Sequence, residues 1–180
     1  MTRIHIHEDD EGMRNVYPAA ARSDAMDDLA TARASAIANL APGGIGWTDV
    51  HRIREPEVTF GSLELPVQTV GDILAQFLPR ILQFEVGFGA NNPFHYQEED
   101  AFCFGFGREL YVKLERKGDH VSAIWYDAHT SNTEQLSALR SAFEALDKLH
   151  PCMLADYWLN TGGLIADTSF LDGYFAALQR

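Results

Sequence analysis

His5 and His7 stand one residue apart and are followed at once by Glu8, Asp9 and Asp10. Alternate residues of an extended strand point the same way, so two imidazoles and a carboxylate could close on one divalent cation. Metal sites use three or four ligands of fixed geometry, so the fold would have to bring in His51 or His95 to complete the set. A small metal-dependent hydrolase using His5 and His7 is therefore one expected function. The plainer expectation is two solvent-facing histidines on a strand. Glycine pairs at Gly43-Gly44-Ile45-Gly46, Gly87-Phe88-Gly89 and Gly105-Phe106-Gly107 complete neither a dinucleotide fingerprint nor a P-loop, and no cofactor is expected. There is no G-x-S-x-G. Cys103 and Cys152 lie in apolar, strand-like segments without the cationic neighbours that would activate a thiol, so both are expected to be free and buried. The sequence leans away from an enzyme.

Recognition is better supported. Gly89 to Asp100 reads as a long loop, and long loops in small domains are often binding elements. Phe94, Tyr96, Glu98, Glu99 and Asp100 are its candidate partner-binding residues, the aromatics to be buried and the acids to steer a basic protein partner. Reversing the three acids to Lys is expected to abolish partner capture and leave the fold intact. The whole chain shares this bias: 26 Asp and Glu against 14 Lys and Arg give a net charge of -12 over 180 residues. No run of bases exceeds Arg116-Lys117, which excludes a groove that tracks nucleic-acid phosphates and makes an anionic membrane a poor partner. The acids come in short runs at Glu8 to Glu11, Asp24 to Asp28 and Glu98 to Asp100. The N-terminus has no apolar segment of the secretory kind, and apolar runs such as Ile73 to Leu82 are far shorter than the ~20 residues of a membrane helix. A cytoplasmic location is expected.

The elements that must position these residues follow from periodicity. Arg3 to His7 alternates as a half-buried strand. A first helix is predicted from a Ser23 N-cap to Pro42, with Met26, Leu29, Ala30, Ile37 and Leu40 at helical spacing. Asp49 to Arg54 and Val58 to Leu65 read as short strands. Val70 to Leu82 reads as a helix kinked by Pro79, and Glu85 to Phe88 as a strand. Strands follow through Phe102 to Phe106, Glu109 to Arg116 and Val121 to Asp127, the last two joined by a hairpin at Lys117 to His120. Ser131 and Glu134 have capping-box spacing ahead of a helix that Pro151 ends. Cys152 to Leu159 reads as a strand turning at Asn160 to Gly163, and a helix from about Ser169 to Leu178 closes the chain. No linker or repeat divides it. The expected fold is one α+β domain spanning residues 1–180, a mainly antiparallel sheet packed with about four helices.

From Ser131 onward, the order is a capped helix ending Leu146-Asp147-Lys148-Leu149-His150, then Leu154-Ala155-Asp156-Tyr157-Trp158, Leu164-Ile165-Ala166-Asp167 and Phe170-Leu171-Asp172-Gly173-Tyr174-Phe175. This resembles the tail of small immunity proteins of bacterial toxin systems, over about the last 50 residues; Tyr157 departs from the pattern by separating Asp156 from Trp158. The resemblance implies a non-enzymatic inhibitor that occludes a cognate toxin domain, through an acidic surface where the toxin is basic. It carries over no contact positions, because the matching tail reads as core.

Overall fold

The computed structural model describes residues 3–87 and 94–179, apart from the side chains of Phe94 and His95. In chain order the elements are β1 (Arg3–His7), β2 (Arg14–Pro18), α1 (Arg22–Ala38), α2 (Val67–Leu74), β3 (Arg80–Ile81), β4 (Gln83–Gly87), β5 (Phe94–Glu98), β6 (Cys103–Gly107), β7 (Leu110–Lys117), β8 (His120–Ala128), α3 (Thr133–Leu149), β9 (Cys152–Asp156), β10 (Thr161–Leu164) and α4 (Thr168–Leu178). This is the expected α+β fold. The strands form a seven-stranded sheet in the order β10-β9-β2-β8-β7-β6-β3 and a three-stranded sheet in the order β1-β4-β5. Among the described residues only β1 and β4 run parallel, and the other pairs are antiparallel.

Side-chain alternation in β7 and β8 divides the interior in two. Leu110, Val112, Leu114, Ile124 and Tyr126 join Val70 and Leu74 of α2, Leu139 and Phe143 of α3, and Leu171 and Phe175 of α4 in the main core. On the opposite face Tyr111 and Trp125 meet Ile4 and Ile6 of β1 and Phe84 and Val86 of β4, so the small sheet covers this part of the large one. Phe84, Tyr111 and Trp125 stack edge to face, with ring centroids 5.5–5.8 Å apart. Both cysteines are free and buried; burial pushes the Cys152 thiol up to about 12 and that of Cys103 higher still.

A lysine lies between the sheets. Lys113 of β7 is wholly buried, its Nζ 3.0 Å from Glu98 Oε2, 3.1 Å from Glu115 Oε1 and 3.4 Å from the Tyr96 hydroxyl. The Trp125 indole N–H donates to Glu115 at 3.1 Å. A charge removed from water needs such partners, and this one ties β5 of the small sheet to β7 of the large one.

At the other end of the large sheet β10 is gripped on both faces. A Cβ on Gly162 would lie 2.9 Å from Leu29 of α1, and one on Gly163 would lie 2.6 Å from the Phe170 ring of α4. The glycines expected in a turn are strand residues that let two helices approach; the turn itself is made by Asn160, at φ 49°.

Several expected elements differ. Val70 to Leu82 is not one helix: α2 ends at Leu74, and after Pro79 the chain turns into β3, so Leu78 fills the main core and Ile81 the second one. Asp49 to Arg54 and Val58 to Leu65 are not strands; irregular chain and a short 3-10 turn at Phe60–Ser62 occupy that stretch. β2 falls where only an acidic link was expected, because its inward alternation, Arg14, Val16 and Pro18, is carried by a charged residue and a proline. Asn132, not Ser131, caps α3, its side chain accepting from the N–H groups of Glu134 and Gln135. Among the described residues no helix is long and apolar enough to cross a membrane.

Lys113→Met keeps most of the volume and removes the charge, leaving Glu98 and Glu115 facing each other. It should cost about 2–4 kcal/mol in urea unfolding, below the full penalty of a broken buried pair because both acids keep some contact with water.

Candidate functional site

The histidine pair does not assemble a metal centre. His5 faces Glu85 across the β1–β4 pairing, with Nδ1 3.6 Å from Oε2, while Arg3 reaches the other oxygen of the same carboxylate at 3.1 Å. His7 caps the 3-10 turn at Glu8–Asp10, its Nδ1 accepting the Asp9 N–H. His51 is engaged elsewhere, by Asp28. Among the described residues no three His, Cys, Asp or Glu are placed to hold a metal ion.

The Gly89 to Asp100 stretch is not one loop. Residues 89–93 lie outside the described residues, as does the Phe94 side chain, and Phe94–Glu98 is strand β5. Tyr96 and Glu98 share the face that meets the large sheet, where the Tyr96 hydroxyl donates to Glu98 and both surround Lys113. An acid at the strand's end looked like loop chemistry; the buried ammonium is what draws it inward. Glu99 and Asp100 are exposed, Glu99 accepting from Gln83 at 2.8 Å and Asp100 pairing with Arg80 at 2.9 Å. Reversing Glu98 would set a second ammonium beside Lys113, so it cannot leave the fold intact. The acidic runs are also divided: Glu8 to Glu11 and Glu98 to Asp100 adjoin the small sheet, whereas Asp24 to Asp28 belongs to α1, against β9 and β10.

A buried polar cluster closes the end of the large sheet. Arg14 Nε donates to Asp156 at 2.8 Å and its Nη1 to Asp127. Tyr174 of α4 donates to Asp156 at 2.8 Å and lies 2.7 Å from the Tyr126 hydroxyl. Burial and the neighbouring Tyr126 and Asp156 push the Tyr174 hydroxyl far up, so it stays a donor. Asp156 and Tyr174, both in the tail that resembles immunity proteins, are thus spent on packing. His129 Nε2 lies 3.0 Å from Asp127 on the rim of a cavity of about 330 Å³. A carboxylate and an imidazole so placed are the parts of a general base. Among the described residues no hydroxyl or thiol is seen hydrogen-bonded to His129, whose Nε2 instead lies 3.4 Å from Arg14 Nη1.

The most exposed apolar surface lies elsewhere, on α1 and the segment after it. Residues 39–59 run back along α1 as a strap. Thr48 N–H donates to Asn39 C=O and Ala41 N–H to Gly46 C=O, with Gly43, Gly44 and Gly46 all at positive φ (97°, 75° and 79°), where a side chain would be strained. The Trp47 indole donates to Ala36 C=O at 3.1 Å. Farther back, Asp28 gathers the strap: His51 Nε2 lies 2.9 Å from its carboxylate, Arg54 donates through Nε at 2.9 Å and through its backbone N–H at 3.2 Å, and Tyr157 donates at 2.7 Å. Burial alone would push the Asp28 carboxyl up; the four hydrogen bonds, those of Arg54 and Tyr157 foremost, outweigh it and hold the group below its ordinary value.

So fastened, the strap and the end of α1 display apolar side chains to solvent: Ile37 of α1 is 71% exposed, and on the strap Leu40 is 52%, Ile45 89%, Trp47 57% and Val50 76%. Of these, Ile37 also lines a groove of about 380 Å³ with Met26, Leu29, Ala30, Arg33 and Ala34 of α1 and with Asn160 and Thr161. On the Asp28 side Asp24, Asp27, Glu55 and Glu57 line a second, acidic cleft together with the exposed Arg54. The helical spacing of Met26, Leu29, Ala30 and Ile37 was thus real, but the face it marks lies largely open, and the part of α1 that is buried is Ala25, Asp28 and Leu29. Ile45 and Trp47 were not singled out in the sequence. The signal was there in Pro42-Gly43-Gly44-Ile45-Gly46-Trp47, since large apolar residues set among turn glycines cannot all reach a core.

Comparison of the chain with protein-family models, with curated proteins and with solved structures finds no match.

The Asp28 carboxyl, held low in the folded protein, contributes stability that is complete above the unfolded value of 3.8 and is lost as pH falls through the lower folded value. On acid titration the Trp47 indole N–H resonance should therefore shift toward that of free indole only below about pH 4. Asp28→Asn should release the strap at neutral pH, at a local cost of about 2–3 kcal/mol, read as faster tryptic cleavage at Arg52 and Arg54.

Proposed function

We propose that the chain is a non-enzymatic binding protein of the immunity type, which neutralises a basic cognate toxin domain by direct contact and uses no cofactor. The carrying observation is the surface built by α1 and the strap. Monomers rarely leave a group of large apolar side chains in water without using it, and here five of them stand on the end of α1 and on the strap, whose Glu55 and Glu57 line a cleft with Asp24, Asp27 and Arg54. Aromatic anchors within a polar rim are the usual composition of a protein interface. The net charge of -12 favours a basic partner by steering its approach. The likeness of the C-terminal third to immunity proteins points the same way. The contact residues are reassigned with this surface: Ile45, Trp47, Asp24 and Asp27 lead, and Glu99 and Asp100 remain as peripheral acids. A hydrolase built on His5 and His7 gains no supporting observation among the described residues.

The reading requires a gene for a toxin domain beside this chain's own, and co-production with the product of that gene tests it. The native chain should restore growth. The variant carrying Ile45→Asp and Trp47→Asp, with an unchanged circular dichroism spectrum, should bind the purified toxin about thirtyfold more weakly or worse, the cost of one lost hot-spot aromatic. The variant carrying Glu99→Lys and Asp100→Lys should stay within about threefold. Failure of the native chain to restore growth would overturn the immunity reading; full affinity in the Ile45 and Trp47 variant would overturn the surface.

A further inference from the structure

Beside the surface proposed for the toxin there is a second place for recognition: we infer that the edge of β10 takes up an extended segment of a partner protein, apolar at alternate residues and carrying an Asp or Glu. β10 is the end strand of the large sheet. In an antiparallel pair, alternate residues turn their N–H and C=O groups toward the neighbouring strand and the others turn theirs away. Ile165 N–H donates to Cys152 C=O, so Thr161, Gly163 and Ile165 face β9, and Gly162 and Leu164 face outward. The other side of β9 fixes the same phase. Tyr157 N–H donates to Met13 C=O and Ala19 N–H to Pro151 C=O, which turns Met153 and Ala155 toward β2 and leaves Cys152, Leu154 and Asp156 for β10. Leu164 C=O is spent on the Asp167 N–H at 3.1 Å, which closes the edge there. Gly162 is part-exposed, and among the described residues neither its N–H nor its C=O has a partner across the edge. Unpaired backbone groups on a sheet edge are a template for another strand, and addition of an extended segment to such an edge is a recurring mode of recognition.

Side chains decide what that segment carries. α1 passes Gly162 at Met26 and Leu29; farther along, Ala30, Arg33, Ala34 and Ile37 bound the groove of about 380 Å³ with Asn160 and Thr161, the residues just before Gly162. The groove thus continues the open edge on its α1 side, away from Asp167. Side chains of an added strand point alternately to the two faces, so every second one enters the groove. Two strand residues advance about 6.7 Å and four helix residues about 6 Å, so the steps match. A residue opposite Gly162 lies by Leu29, the next on that face by Arg33 and the third by Ile37. Arg33 is exposed and has no acidic partner among the described residues, a free base in a chain of net charge -12. A carboxylate at the middle step satisfies it, between apolar side chains at the other two. A helix has spent its backbone groups internally and offers nothing to Gly162. A second copy pairing through its own β10 would set glycine against Gly162 and bring no acid to Arg33, since Thr161–Leu164 holds none.

The probe is the acetylated, amidated hexapeptide Thr-Val-Thr-Glu-Thr-Val, titrated into the isotopically labelled whole chain and read by NMR. Its first Val lies opposite Gly162, antiparallel to β10, its Glu at Arg33 and its last Val at Ile37. Before the peptide is added, the Gly162 amide should exchange with solvent at least about tenfold faster than that of Gly163, which faces β9; at saturation it should slow about tenfold. Methylating the backbone nitrogen of the first Val removes the donor to Gly162 C=O and should weaken binding about tenfold. Methylating the Thr after it, whose N–H points away, should stay within about threefold. Arg33→Glu should weaken binding about threefold and let a peptide with Lys in place of Glu bind better than the original. Equal effects of the two methylations, or a Gly162 amide that the peptide does not slow, would overturn the inference. So would a dimer in sedimentation whose Gly162 amide is already protected without peptide, because a second copy would then cover the edge.

Discussion

One buried carboxylate organises the surface on which the functional reading depends. Asp28 lies on the inner side of α1, almost without access to water, and has to be given donors there. They come from three places in the chain: the His51 ring, the side chain and backbone of Arg54, and the Tyr157 hydroxyl after β9. Satisfying that single charge draws an irregular segment of the chain along α1 and fixes it beside the turn after β9. Trp47 and Ile45 lie on the strap so fastened and stand in solvent.

The same physics governs the rest of the acid content. Lys113 takes Glu98 and Glu115 between the two sheets, and Arg14 takes Asp127 and Asp156 at the end of the large one. In each cluster two carboxylates surround one buried base, so part of the chain's negative charge is internal and stabilises particular junctions. What is left for a partner is the charge not so engaged. On α1 and the strap it stands beside exposed apolar residues, whereas Glu99 and Asp100 are paired to Gln83 and Arg80 and adjoin the well-covered small sheet. Acidity alone would not separate these places; the pairing of charge with uncovered apolar area does.

Much of the fold could be read directly. β1, the β7–β8 hairpin, α3, the core of β9 and α4 each carry an uninterrupted period, a cap or a turn signal, so local preference and final structure agree. The misreadings share a cause. β2 and β5 hide their inward faces because Arg14 and Glu98 are inward residues whose burial depends on partners far along the chain, Asp127 and Asp156 for the one and Lys113 for the other. The stretch from Val70 to Leu82 kept a helical spacing of apolar residues that the structure divides between two cores. Asp49 to Arg54 reads as a strand because Val50, Arg52 and Arg54 alternate with His51 and Ile53, yet His51 and Arg54 bond to the Asp28 side chain of α1.

By itself the sequence determined the class of the fold, the free state of its thiols, the absence of any nucleotide-binding or nucleophile motif, and a net charge suited to a basic partner, because each depends on composition or on residues a few positions apart. Only the tertiary structure decided which acids are spent and which are offered, and which apolar periodicity faces a core and which faces water. The stripe on α1 is the clearest case. Its spacing states that one side of the helix is apolar, but whether a sheet covers that side depends on where Gly162 lets α1 approach and where Asp28 holds the strap, and both of those are contacts between residues more than twenty positions apart.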